Sequence, residues 1–256
     1  MKRKASSLIV CFILVVVSSV CCFAGTDSLL GNDVSVSEPE CVKNICERYD
    51  IDSCMTKEAL ETFKSVASVS TICEYDESQN ISVVTYVIDP YEAQETRVLS
   101  NGSQIEERVA IAYSYVYENT DLTPVRAVTG SISETHVLSD VTFVNTIGYT
   151  TKTSGGIEWM RMNVGKAKIT RFLESNLRNL KITCKQWGVV ESGNPDQTVS
   201  KTVASPVINQ LYSKSTGWTN FVGKNQGILK VTSQVTYSHG ASNYTVSSFT
   251  TFGSGV

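Results

Sequence analysis

The amino-acid sequence predicts a mainly β protein: an antiparallel β-sandwich, immunoglobulin-like or jelly-roll-like, preceded by a small cysteine-bearing helical hairpin. Three observations predict it. From Asn80 onward, Thr, Val, Ser and Tyr dominate, and apolar residues alternate with polar ones instead of recurring at helical spacing. Turn dipeptides such as Asn101-Gly102 and Gly155-Gly156 separate the alternating runs. No long helical pattern lies between those runs, which excludes a parallel α/β sheet. Roughly ten strands at this spacing suit a sandwich or barrel.

The elements follow in chain order. Met1 to Lys4 is basic, Leu8 to Val17 is an unbroken apolar run, and small residues lead to Cys22-Phe23-Ala24. This pattern predicts a secretory signal peptide over 1–24, cleaved before Gly25, and hence a secreted or cell-surface location. Residues 25–36 read as a flexible leader, 37–79 as a helical, acidic, cysteine-containing region, and 80–256 as the β-sandwich domain. Ser37-Glu38-Pro39-Glu40 has the residues of a capped helix start. Val42, Ile45, Cys46 and Tyr49 then form one apolar stripe. A second helix is expected after Thr56, with Leu60, Phe63, Val66 and Ala67 on one face. Each helix is too short to be stable alone, so disulfides or docking must hold it.

The β region is read by parity. Asn101-Gly102 is expected to close a two-residue hairpin, after which Ile105, Val109, Ile111, Tyr113, Tyr115 and Tyr117 share one face. Val141, Phe143, Ile147 and Tyr149 do the same before Gly155-Gly156. Leu180, Ile182 and Cys184 point one way, while Lys181, Thr183 and Lys185 point the other. The stretch from His239 to Ser242 is expected to be the tip of the last hairpin. Arg171–Leu177 fits either a strand end or a turn of helix.

Charge divides the chain. Without the three N-terminal cations, 19 basic side chains face 25 acidic ones, a net of −6. Residues 25–79 carry 12 acidic and 4 basic side chains, and residues 80–256 carry 13 and 15. An acidic, exported chain argues against nucleic acid as a partner. Cysteines cluster likewise: Cys41, Cys46, Cys54 and Cys73 are expected to pair as disulfides in an oxidising compartment, with three possible connectivities. Their spacing fits no zinc site.

No motif for catalysis is present: no G-x-S-x-G, no H-E-x-x-H and no phosphate-binding loop. Cys184 reads as a core thiol, and His136 and His239 as surface side chains. No catalytic residue, metal ligand or cofactor is therefore assigned. Glu74, Asp76 and Glu77 lack the spaced ligands of a calcium loop. The distinctive feature is basic. Between Arg161 and Lys185 seven cations face Glu174 alone. Arg161, Lys166, Lys168, Lys181 and Lys185, with Trp187 beside them, are the candidate binding residues.

These residues suit an anionic cell-wall polymer, a glycan or a membrane surface. The expected function is thus a non-enzymatic interaction protein at or near the surface of a bacterium. Two other readings are carried: a membrane-damaging toxin or bacteriocin-like protein built from long Ser/Thr-rich strands, and a secreted hydrolase whose paired carboxylates sequence does not reveal.

Overall fold

Alternating β-branched and hydroxyl-bearing residues favour extended backbone, and the computed structural model follows that preference over most of the residues it describes. It describes residues 37–51, 55–118, 141–172, 176–190, 196–239 and 241–253. The expected signal peptide, the leader, Cys54 and His136 lie outside them. Helices α1 (Glu40–Tyr49) and α2 (Lys57–Lys64) come first. Eleven described strands follow: β1 (Ala67–Asp76), β2 (Ile81–Pro90), β3 (Glu95–Val98), β4 (Gln104–Glu118), β5 (Val141–Ser154), β6 (Ile157–Phe172), β7 (Arg178–Val190), β8 (Asp196–Val203), β9 (Tyr212–Ser215), β10 (Val222–His239) and β11 (Ser242–Phe252).

All strands pair antiparallel in one open sheet, ordered β1-β2-β4-β5-β6-β10-β7-β8, with β3 on β4, β9 on β6 and β11 on β10. The sheet is almost divided in the middle. β6 and β10 share only the pairs Met160–Val222 and Trp159–Gly223. The strands from β1 to β6 form one limb, and β8, β7, β10 and β11 form the other. Both limbs turn the same face inward. Phe143, Ile147, Met160 and Met162 of the first share a core with Leu180, Ile182, Leu229 and Val231 of the second. The limbs come close at Gly165: a Cβ there would lie 2.5 Å from the Cys184 Sγ and 2.7 Å from Val231 Cγ2. Only glycine lets the two limbs meet there.

Five polar side chains interrupt this core as a hydrogen-bonded seam. Thr85 and Ser114 hydroxyls lie 2.8 Å apart, Ser248 Oγ donates to Ser114 (2.6 Å), Asn145 Nδ2 donates to Ser248 (2.8 Å), and Ser233 Oγ donates to Asn145 Oδ1. All five are buried. Hydrogen bonding offsets the cost of burying them, and the seam ties β2, β4 and β5 to β10 and β11.

The helices cover the opposite, outer face of the first limb. Val42, Ile45 and Phe63 pack with Tyr86, Ile88, Val109, Ile111, Tyr113 and Tyr115. β4 is thus buried on both faces, which explains its tyrosine-rich outward set. Tyr115 donates to the Ile51 carbonyl, and Tyr113 donates to Glu38 Oε1, each at 2.8 Å. Those bonds pin the chain on either side of α1. Its N-cap is Pro39, without a side-chain cap, and the serine cap expected at Ser37 does not form. Thr56 does cap α2, accepting from Ala59 N at 3.1 Å.

Three expectations are corrected. The helical segment ends at Lys64 and β1 starts at Ala67, ahead of the boundary expected at residue 80. Cys73 therefore lies on a strand, opposite Val84, and packs against the same cluster as Cys41 and Cys46 of α1. No disulfide links Cys41, Cys46 and Cys73 to one another. The Asn101-Gly102 hairpin is longer than two residues: Val98 pairs with Gln104, Leu99 N donates to Ser103 O, and Gly102 alone has positive φ. At Gly155-Gly156 both φ values are positive and the two-residue turn forms as expected.

Candidate functional site

Parity sets the chemistry of the second limb. Because Leu180, Ile182 and Cys184 point into the core, Lys181, Thr183, Lys185 and Trp187 must point out. β10 supplies the neighbouring row. Register places Lys185 beside Lys230, Thr183 beside Thr232 and Lys181 beside Gln234. β11 adds Phe249 beside Thr232 and Thr251 beside Lys230. Each lysine at the centre rests on an aromatic ring. Lys185 Nζ lies 5.0 Å from the Trp187 ring, and Lys230 Nζ lies 4.2 Å from that of Phe249. Lys185 also meets Asp196 Oδ2 at 3.5 Å. At the far end, Arg178 Nη2 donates to Ser238 Oγ (3.1 Å) and Asn243 Oδ1 (2.9 Å).

The predicted basic cluster is only partly one surface. Lys181, Lys185 and Trp187 come together as expected. Lys166 and Lys168 instead share the outer face of the first limb with Val164, on the side where the helices pack. Arg161 is a correction. It is 8% exposed, buried on that same outer face of β6. Its face is set by a register shift between Gly148 and Tyr149, which adds Asn163 as an extra residue on β6. Met160 and Met162 therefore point inward with Gly165, Ala167 and Ile169, although the parities differ. Sequence parity carries no sign of the bulge.

Around Arg161 is a polar group that sequence reasoning missed. Thr150 Oγ1 donates to Glu107 (3.0 and 3.1 Å to its two oxygens), and Asn163 Nδ2 reaches Glu107 Oε2 at 2.9 Å. The guanidinium lies 4.7 Å from the Phe221 ring. Burial pushes the Glu107 carboxyl up from its ordinary value, and burial draws the Arg161 guanidinium down. Asp89 is likewise raised by burial, opposed by a 3.0 Å bond from Tyr149. It sits on the inner face of β2, whereas Glu107 sits on the outer face of β4.

The remaining candidates carry less. Cys184 is fully buried, and burial pushes its thiol up to about 12, so it holds no thiolate at neutral pH. Glu74, Asp76 and Glu77 border a cleft of about 520 Å³ between the β1–β2 turn and β11. Asp76 is already engaged there by Ser78 and Gln79, which hold its carboxyl below the usual range. Gln79 in turn exchanges two hydrogen bonds with the Thr245 backbone. Among the described residues no cluster of three His, Cys, Asp or Glu side chains is placed to hold a metal.

Sequence singled out Lys181, Lys185 and Trp187, but Lys230, Phe249 and Arg178 enter the face only through strand pairing. Comparison with known proteins finds no family, no curated protein and no solved structure that matches this chain.

Proposed function

We propose that the protein is an exported, non-enzymatic interaction protein that holds an anionic cell-surface polymer or glycan against the outer face of its second limb. One observation carries the reading. Lys185 and Lys230 stand directly opposite each other on adjacent central strands, a like-charge pair that sheets normally avoid. The aromatic rings beneath them offset part of that cost and add flat apolar surface of the kind sugars and headgroups stack on. The reading treats the two limbs as the layers of a sandwich, supported by their shared core. It is also supported by the helices, whose apolar contacts fall on the first limb and leave Lys181 and Lys185 uncovered. The described part of the acidic N-terminal region, α1 and α2, is therefore not a lid on this face.

The test is co-sedimentation of the protein without its first 24 residues, using bacterial cell-wall polymer and anionic vesicles at low salt. Binding should be saturable, should fade as salt rises, and should be lost in a Lys181→Glu/Lys185→Glu/Lys230→Glu variant that retains its fold. Wild-type protein that stays in the supernatant with every anionic material refutes the reading.

The seam of hydroxyl groups inside the core favours one other reading, a membrane-damaging protein. Strands as long as β10, with polar side chains on both faces, have the composition of pore-lining hairpins. Dye release from liposomes decides between the two. The hydrolase reading gains nothing from Asp89 and Glu107, which occupy opposite faces of the sheet.

A further inference from the structure

We infer that Arg161 is the centre of a second, separate binding site, one that takes a single oxyanion, either phosphate or carboxylate. The inference concerns the outer face of the first limb and is independent of the polymer-binding reading.

A buried guanidinium is normally matched by a carboxylate in bidentate contact, because its desolvation is otherwise uncompensated. Arg161 is 92% buried by the same measure that leaves it 8% exposed, yet no described carboxylate lies within ion-pair distance of it. Its protein hydrogen bonds are long and neutral: Nε to Asn163 Oδ1 at 3.3 Å and Nη2 to Thr150 Oγ1 at 3.4 Å. Charge-assisted bonds run about 2.7–2.9 Å. No described group accepts from Nη1, which is not sealed from solvent. The fork that recognises planar oxyanions is therefore largely unused.

A second donor lies on the same strand face. Trp159 is 9% exposed, and its indole Nε1 is buried without any acceptor. An N–H in that state is costly to bury unless something accepts from it. Lys152, register partner of Trp159, brings another cation to the ring that Arg161 faces: its Nζ lies 4.4 Å from the Phe221 centroid. Donors gather here, and among the described residues the Trp159 indole meets no acceptor and the Arg161 fork meets only long, neutral ones. Glu107 does not fill that role. Thr150 and Asn163 occupy its oxygens and stand between it and Arg161. Glu107 instead tempers the affinity, since its charge opposes a bound anion.

The experiment titrates the wild-type protein with inorganic phosphate and, separately, with acetate, at fixed ionic strength against chloride. The readouts are the Arg161 Nε–H resonance and the thermal midpoint. A saturable shift of that resonance with at least one anion is expected. Arg161→Lys, which keeps the charge but loses the fork, should bind at least tenfold more weakly, and Glu107→Gln should bind more tightly. Lys181→Glu/Lys185→Glu should leave this binding unchanged, which separates it from the polymer face. Response to phosphate alone assigns a phosphate-bearing ligand, and response to acetate alone assigns a sugar acid or other carboxylate. No saturable shift with either anion, or an Arg161→Lys protein that binds as well as wild type, overturns the inference. The wild-type titration needs no variant, so a poorly folded mutant does not shield it.

Discussion

The two limbs of the sheet are built from the same kind of strand and end in opposite situations. In the first, β2 and β4 turn Tyr86, Ile88, Val109, Ile111, Tyr113 and Tyr115 outward, and two helices cover them. In the second, β7 and β10 turn Lys181, Thr183, Lys185, Lys230 and Thr232 outward, and no described element covers them. Both limbs bury their other face in one core. The outward residues alone decide whether a face is interior or surface. An apolar face must be covered, since exposing it forfeits about 25 cal/mol for each Å². A face of lysine and threonine needs no cover and is free to bind.

The strongest way to break this contrast is to weaken the cover. Phe63 is fully buried between α2 and the tyrosine face. Phe63→Ala should cost about 3–5 kcal/mol, the usual range for truncating a buried aromatic. Because the second limb has no such cover, the first signs of opening should be local. Hydrogen exchange should accelerate in β2 and β4 before β7 and β10. Uniform acceleration across both limbs would show that the cover stabilises the whole sheet and not one face of it.

The next effect concerns what joins the limbs. Asn145 links Ser233 of the second limb with Ser248, which continues to Ser114 of the first. Asn145→Ala leaves Ser233 and Ser248 buried with partners missing, at about 1–3 kcal/mol for each group left unsatisfied. The midpoint of urea unfolding measures it. A loss below about 0.5 kcal/mol would mean that the seam is held loosely enough to re-pair, which strengthens the reading of a sheet able to rearrange.

How legible was this in the residues? Local pattern carried the strands, the Gly155-Gly156 turn, the Thr56 cap and the inward set of β7, because each depends on neighbours within a few positions. It also made Lys181, Lys185 and Trp187 visible as one face. Pairing was not legible. Lys230 alternates as plainly as Lys185, but only register sets them side by side. Arg161 reads as one more surface cation because sequence shows neither the partners that pairing brings around it, Thr150 and Phe221 among them, nor the bulge at Asn163 that sets its face. The Asn101-Gly102 turn took a longer form because strand pairing stops at Val98–Gln104, a decision made by register and not by the dipeptide. The contrast between covered and bare faces was half visible: tyrosines every second residue in β4 look like a wet strand until a helix is laid over them.

The finest test of the contrast is the pair Lys185–Lys230 itself. Two opposing contributions of similar size meet there. Like charges directly opposite on adjacent strands destabilise by about 0.2–1 kcal/mol, and each lysine regains about 0.5–1 kcal/mol over its ring. Lys230→Thr removes one share of each, so its net effect on stability should lie within about 0.5 kcal/mol of zero. Salt separates the two contributions. Screening weakens repulsion between exposed charges, so added sodium chloride should raise the thermal midpoint of the wild-type protein more than that of Lys230→Thr. The same salt should weaken polymer binding. Equal salt responses in the two proteins would mean that the lysines do not repel in the folded state, and the argument that this pair is kept for binding would lose its footing.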